Sequence, residues 1–169
     1  MAITNIFNTE ISINGRKESI FYHRYKPEYI LDVTDESINL YAIGILTSLR
    51  KKKPFEKIHY SNIKDVTISV CRRNYGIIAA IIVNEYHLDL ILNLNNGESY
   101  QLESQSWNNF LKLIDKLYLE NVTINDQLNI YKGYAESGKR FIQELDMIFD
   151  DLADTYHLKH YRLGNKRLK

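Results

Sequence analysis

Between Tyr29 and Glu103 the chain is a succession of short segments rich in Ile, Val, Tyr and Thr, separated by polar turns. No part of it holds a helical period. This pattern commits the middle of the 169-residue chain to strands. The spacing predicts strands at about 19–25, 29–33, 37–43, 55–60, 63–70, 77–83, 87–94 and 99–103. Two tight turns are signalled: Asn95-Asn96-Gly97-Glu98, whose Asn-Gly pair tolerates the positive φ of a hairpin, and the weaker Thr34-Asp35-Glu36. Strand character stops at Ser104-Gln105-Ser106, where either serine suits the N-cap of a helix running to about Glu120. Trp107, Phe110, Leu111, Ile114, Leu117 and Tyr118 make one wide apolar stripe on it, with Lys112, Asp115 and Lys116 off the stripe. Such a stripe must be buried against the sheet.

Beyond this helix, residues 122–134 read as a connecting segment, and Gly138 precedes a second amphipathic helix from about Lys139. Its stripe is Phe141, Ile142, Leu145, Ile148, Phe149, Leu152 and Tyr156, opposite Asp146, Asp150, Asp151 and Asp154. The fold expected is α+β: an antiparallel sandwich or partly open barrel of about seven strands, capped by the Trp107 helix. The division expected is a domain over 1–120 and a helical extension with a basic tail over 121–169.

Three phrases resemble the bacterial branch of the pleckstrin-homology-like (PH-like) family. Residues 29–41 look like its opening hairpin, in which an apolar strand and a polar turn lead to a second strand ending in an aromatic. Ile58-His59-Tyr60-Ser61-Asn62-Ile63-Lys64-Asp65-Val66 looks like its step into a new strand. Residues 92–102 running into the Trp107 helix are similar to its final hairpin and capping helix. The resemblance covers about 19–119 and implies a PH-like fold, which hosts many functions. The chain departs from the family's pattern in a long segment, Arg72-Arg73-Asn74-Tyr75-Gly76-Ile77-Ile78-Ala79-Ala80, and in some fifty residues after the capping helix.

Composition narrows the classes further. With 44% hydrophobic and 25% charged residues, 7 Gly and 2 Pro, the chain has the material for a real core and is no low-complexity sequence. The single cysteine, Cys71, forms no internal disulfide and reads as a small core hydrophobe in a cytoplasmic protein. No secretory signal is legible at the start. The longest apolar run, residues 77–83, is far short of the ~20 residues a spanning helix needs. The net charge of +1 hides an asymmetry: +2 over residues 1–70, −6 over 71–158 and +5 over 159–169.

The candidate sites follow from that asymmetry. Arg50, Lys51, Lys52 and Lys53 precede Pro54 and form a basic loop that either meets phosphates or simply guards a sheet edge with lysines. In eukaryotic phosphoinositide binders, the resemblance implies, the basic motif lies in the first hairpin loop; here that place holds Thr34-Asp35-Glu36, which repels phosphate. The tail, with Lys159, Arg162, Lys166 and Arg167 around His160 and Tyr161, suits an anionic partner, nucleic acid or membrane, or is only a solvated terminus. Asp154, His157 and His160 fall at i, i+3 and i+6, but a helix-end histidine pair needs no metal, and no metal or cofactor is expected. His23, His59 and His87 lie on separate strands without an obvious common partner. The sequence contains no G-x-S-x-G elbow, phosphate-cradling glycine loop, H-E-x-x-H pair or Cys-x-x-Cys spacing.

The function expected is therefore a non-catalytic protein-interaction module in a bacterial or phage-infected cytoplasm, acting as an adaptor or as an inhibitor encoded by a mobile element. Its contacts would come from Arg72, Arg73 and Tyr75 and from the second helix through Phe141, Leu145 and Phe149, which also offers a route to a homo-oligomer. The alternative is peripheral binding to anionic membrane or nucleic acid through the basic loop and tail.

Overall fold

The computed structural model describes residues 5–14, 16–17, 29–42, 53–78 and 81–161. In chain order they form β1 (Asn5–Ile13), β2 (Arg16–Lys17), β3 (Tyr29–Val33), β4 (Ser37–Ala42), β5 (Glu56–His59), β6 (Ile63–Ile78), β7 (Ile81–Leu94) and β8 (Ser99–Ser104). There follow α1 (Trp107–Leu119), β9 (Thr123–Asn125), α2 (Ile130–Ser137), α3 (Lys139–Tyr156) and β10 (Lys159–Tyr161). The architecture is α+β with two sheets and no closed barrel, as far as the expected class went.

β1 belongs to both sheets. Its first half, from Asn5 to Thr9, pairs antiparallel with β3, and its second half, from Glu10 to Ile13, pairs antiparallel with β8. One sheet therefore runs outward through β3, β4 and β5, the other through β8, β7 and β6. The sequence reading gave no strand at β1, and the strand it placed at 19–25 lies outside the described residues.

The hairpin expectations hold. Thr34 closes the β3–β4 turn by exchanging backbone and hydroxyl hydrogen bonds with Ser37. Gly97, at φ 88°, closes the β7–β8 turn and donates its N–H to the Leu94 carbonyl. The step from β5 into β6 is a single 3-10 turn over Tyr60–Asn62. The Tyr60 hydroxyl donates to the Thr34 carbonyl at 2.8 Å, which pins the first hairpin to this step.

The middle of the sheet requires a correction. Residues 77–83 are not one strand, because β6 runs on to Ile78 and β7 starts at Ile81, making a hairpin of 16 and 14 residues. Arg72, Arg73 and Tyr75 are thus strand residues of β6, not a connecting segment.

Alternation sorts the core. Leu31, Val33, Ile38, Leu40 and Ile58 of one sheet join Val66, Ile68, Val70, Leu88, Leu90, Leu92, Tyr100 and Leu102 of the other in one buried cluster. α1 closes it with Trp107, Phe110, Leu113, Ile114 and Leu117. Leu111 is only half-buried, Tyr118 is exposed, and Leu113, absent from the expected stripe, is fully buried. The Trp107 indole N–H donates to the Tyr86 carbonyl at 2.8 Å, so α1 starts at a fixed height on β7. Its first turn is supported by Ser104, whose hydroxyl accepts the Ser106 N–H.

The extension is built into the same core. β9 and β10 both pair in parallel with β6, at Asp65 to Thr67 and at Cys71 to Arg73 respectively. The segment read as a connection holds α2, whose first N–H groups, at Ile130 and Tyr131, are both accepted by the Asp126 carboxylate at 2.9 Å. Ile130, Tyr134, Leu145 and Phe149 are members of the central cluster. The Phe141 ring packs against Gly133, where a Cβ would meet it at 2.3 Å, so glycine lets α2 and α3 approach this closely.

Candidate functional site

The long hairpin has two unlike faces. Val66, Ile68 and Val70 on β6 and Leu88, Leu90 and Leu92 on β7 turn to the core, whereas the intervening positions are polar. On this second face Cys71 stands across from His87 and Arg73 across from Glu85, and Glu103 of β8 stands across from Asp89. Cys71, Arg73, His87, Asp89 and Glu103 are all buried. Polar groups removed from water must find partners within the chain.

Glu103 is the hub. Arg73 brings its Nε and Nη2 each to 2.6 Å from Glu103 Oε1, and His87 Nδ1 lies 3.3 Å from the same oxygen. On its other side, His87 Nε2 is 3.0 Å from Gln105 Nε2 and 3.7 Å from Glu85 Oε2. The Gln101 amide donates to both oxygens of Asp89 at 2.6 Å. The three strands are thereby laced together by side chains as well as by their ladders.

This environment fixes protonation. Burial alone would raise the Glu103 carboxyl, but the charge and hydrogen bonds of Arg73, with His87 and Cys71, hold it below its ordinary range. The Cys71 thiol is pushed well up, first by burial and then by Glu103 and Asp89, so it stays protonated and makes a poor nucleophile.

Facing the core, at the same height, a second polar group holds α3 in place. The Arg72 guanidinium sits 4.5 Å over the Phe149 ring and pairs with Asp150. The Tyr86 hydroxyl donates to Asp146, which also accepts from Asn84 at 2.9 Å. The Tyr86 and Phe149 rings are 5.3 Å apart. Asp146 is held below its ordinary 3.8, first by the Tyr86 hydroxyl and then by Asn84.

Both Glu103 and Asp146 have folded pKa values depressed below the unfolded ones. The stability they contribute is whole above those ordinary values, 4.5 and 3.8, and is lost as pH falls through the folded values. Melting temperature should therefore fall as pH is lowered from about 5 towards 3, chiefly through the buried Glu103. Asp146→Asn, which keeps an acceptor for Tyr86 but cannot titrate, should show a flatter fall; an unchanged slope would count against this assignment.

The structure redistributes the expected contact residues. Arg72 and Arg73, expected at a partner surface, are buried and ion-paired within the chain. Leu145 and Phe149, expected to dock a partner or a second copy, are buried in the chain's own core. Ile148 and Tyr156 of the same stripe remain exposed, as does the neighbouring Met147. Phe141 is half-buried, edge-on to Trp107 at 6.4 Å. Tyr75 has its backbone on β6, and its side chain lies outside the described ones. Asp146 and Asp150 are exposed, as expected, and each also meets a polar group on the hairpin.

Of the basic positions, Lys53 is exposed and Lys159 opens β10, its side chain lying outside those described; Arg50, Lys51, Lys52, Arg162, Lys166 and Arg167 lie outside the described residues. Asp154, His157 and His160 do not share a helix face: α3 ends at Tyr156, His157 takes the left-handed conformation at φ 55°, and His160 is in β10. No group of three metal-binding side chains occurs among the described residues. His87 shares Glu103 with Arg73, while His59 is in β5 and His23 lies outside the described residues.

No described helix is long and apolar enough to cross a membrane. The sequence matches no protein-family model and no curated protein.

Proposed function

We propose that the chain is a non-catalytic protein-interaction module of PH-like architecture that binds extended segments along sheet edges. The observation that carries this reading is the outer edge of β6. Two separate stretches of the chain, β9 and β10, lie on it as three-residue parallel strands. An edge that takes two unrelated segments offers backbone donors and acceptors to any extended chain. The PH-like reading is further supported by antiparallel strands in two sheets that share β1 and are closed by α1 directly after β8. The module acts as an adaptor or as an inhibitor that occupies another protein's surface.

The test is affinity capture by the full chain from lysate of its own host, at low and high salt, beside a version ending at Leu158 that lacks β10. A protein that stays bound at high salt, and binds more tightly once the β10 position is vacated, supports the edge reading. Recovery of only nucleic acid or lipid, lost at high salt and in the shortened version, overturns it in favour of anionic binding through the basic segments.

A further inference from the structure

The junction between β8 and α1 is tied to β7 by one side chain. Gln105 lies just past the last rung of that strand pair, Leu88↔Ser104, and its amide nitrogen reaches back to two groups of β7. It donates to Glu85 Oε2 and stands 3.0 Å from His87 Nε2. The Gln105 carbonyl in turn accepts the Trp107 N–H, the first of α1, at 2.9 Å. One residue therefore clasps the strand and starts the helix.

These contacts dictate where the imidazole proton sits. An ionised carboxylate only accepts, so the Gln105 atom against Glu85 is the NH2 group, and an amide nitrogen only donates. His87 Nε2 must then accept, which leaves the ring neutral with its proton on Nδ1, 3.3 Å from Glu103 Oε1. His87 is buried, but its clasp is at the rim: Gln105 is exposed and the Glu85 side chain is 40% accessible. A proton from solvent can reach Nε2, and the Gln105 side chain has room to leave.

We propose that His87 is a proton-operated latch on the β8–α1 junction. A second proton, on Nε2, sets a donor against a donor at 3.0 Å. The Gln105 amide must then withdraw, and Glu85 Oε2, already 3.7 Å from Nε2, takes its place. Among the described residues, the charges facing the ring come from three strands. Glu103 of β8 and Glu85 and Asp89 of β7 attract an imidazolium, Arg73 of β6, bound to Glu103, repels it, and Cys71 directly across stays neutral. A cation on the ring thus meets more opposite than like charge. Once the latch opens, the Trp107 indole still donates to the Tyr86 carbonyl, so acid loosens the junction without releasing the helix.

The test is NMR of the 15N-labelled full chain from about pH 8 to about pH 5.5, where histidines change charge. That range lies above the one in which Glu103 and Asp146 gain protons. At the upper end the His87 ring should carry its proton on Nδ1 alone. As pH falls it should gain the second, and the Gln105 side-chain amide and the Trp107 backbone N–H should shift with the same midpoint. The Gln101 side-chain amide, held by Asp89, should stay where it is. His87→Gln should lose the step at Trp107. Gln105→Ala, a change at an exposed side chain, should lose it too while the ring still titrates; if His87→Gln does not fold, this variant and the wild-type titration decide by themselves. The proposal is overturned by a proton on Nε2 at the upper end, or by a ring that stays neutral throughout. It is equally overturned by a ring that charges with Gln105 and Trp107 unmoved, or by a Trp107 step that survives Gln105→Ala.

Discussion

Arg73→Met is expected to destabilise the chain by about 3–5 kcal/mol, measured by urea unfolding at neutral pH. The cost does not come from the lost attraction alone. Glu103 would remain buried with a charge that Arg73 had held in place, leaving His87 and the Cys71 thiol beside it. The double variant Arg73→Met/Glu103→Leu removes the stranded charge and should recover most of the loss, since replacing both members of a buried pair by apolar groups is often neutral. A single variant no less stable than the wild type would mean that the pair is not the hub of this face. If the double variant were as unstable as the single, the contribution would lie in packing rather than charge.

Phe149→Ala is expected to cost about 3–5 kcal/mol by the same measurement. Phe149 is fully buried, and its ring is the floor under Arg72 and the neighbour of Tyr86. Its loss leaves a cavity between α3 and the hairpin and weakens the seat of Asp146 and Asp150 together. Ile148→Ala on the same helix, half-exposed at 49%, should cost little. If the two substitutions cost the same, α3 would not be seated through Phe149.

Much of the fold is legible because local chemistry and tertiary packing agree there. β3 and β4 are short β-rich runs joined by a polar turn, β8 alternates from Ser99 to Glu103, Gly97 supplies a positive φ at a hairpin, and the stripe from Trp107 to Leu117 has a serine-rich start. Elsewhere the local signal is absent or diluted. Residues 77–83 are uniformly apolar, so periodicity cannot show that the strand changes between Ile78 and Ile81, and no Gly, Pro or Asn marks the place. β1 carries its signal in Ile11, Ile13 and the Asn14-Gly15 pair, and Asn14 does take a positive φ of 48°; a short apolar count hid it. α2 has only eight residues and a central Gly133, so its Asp126 cap was the one available clue.

The candidate site was harder, and for a physical reason. Glu85, His87 and Asp89 occupy alternate positions and so declare a polar face, which in a single strand reads as solvent-facing. The burial of His87 and Asp89 depends on β6 and β8, which supply Arg73 and Glu103 from thirty residues apart in sequence. A partnership across three strands has no local signature. The seat of α3 shows the same limit: Asp146 and Asp150 are exposed, as their face predicts, but that they also meet Tyr86 and Arg72 is not written in their own helix.

The sharing of β1 between two sheets has a consequence for how the chain comes to be made. Asn5 to Thr9 can find β3 after a short wait, but Glu10 to Ile13 must wait for residues 100–103 to leave the ribosome. Until then the second half of the first strand has only its two rungs to β2, Ser12↔Lys17 and Ile13↔Arg16, and the two sheets have no common member. Closing such a loop is entropically costly, and topologies rich in distant pairings fold slowly. The joining of the sheets through β1 is therefore a late event, and the N-terminal third of a nascent chain carries an unfinished edge for most of its synthesis.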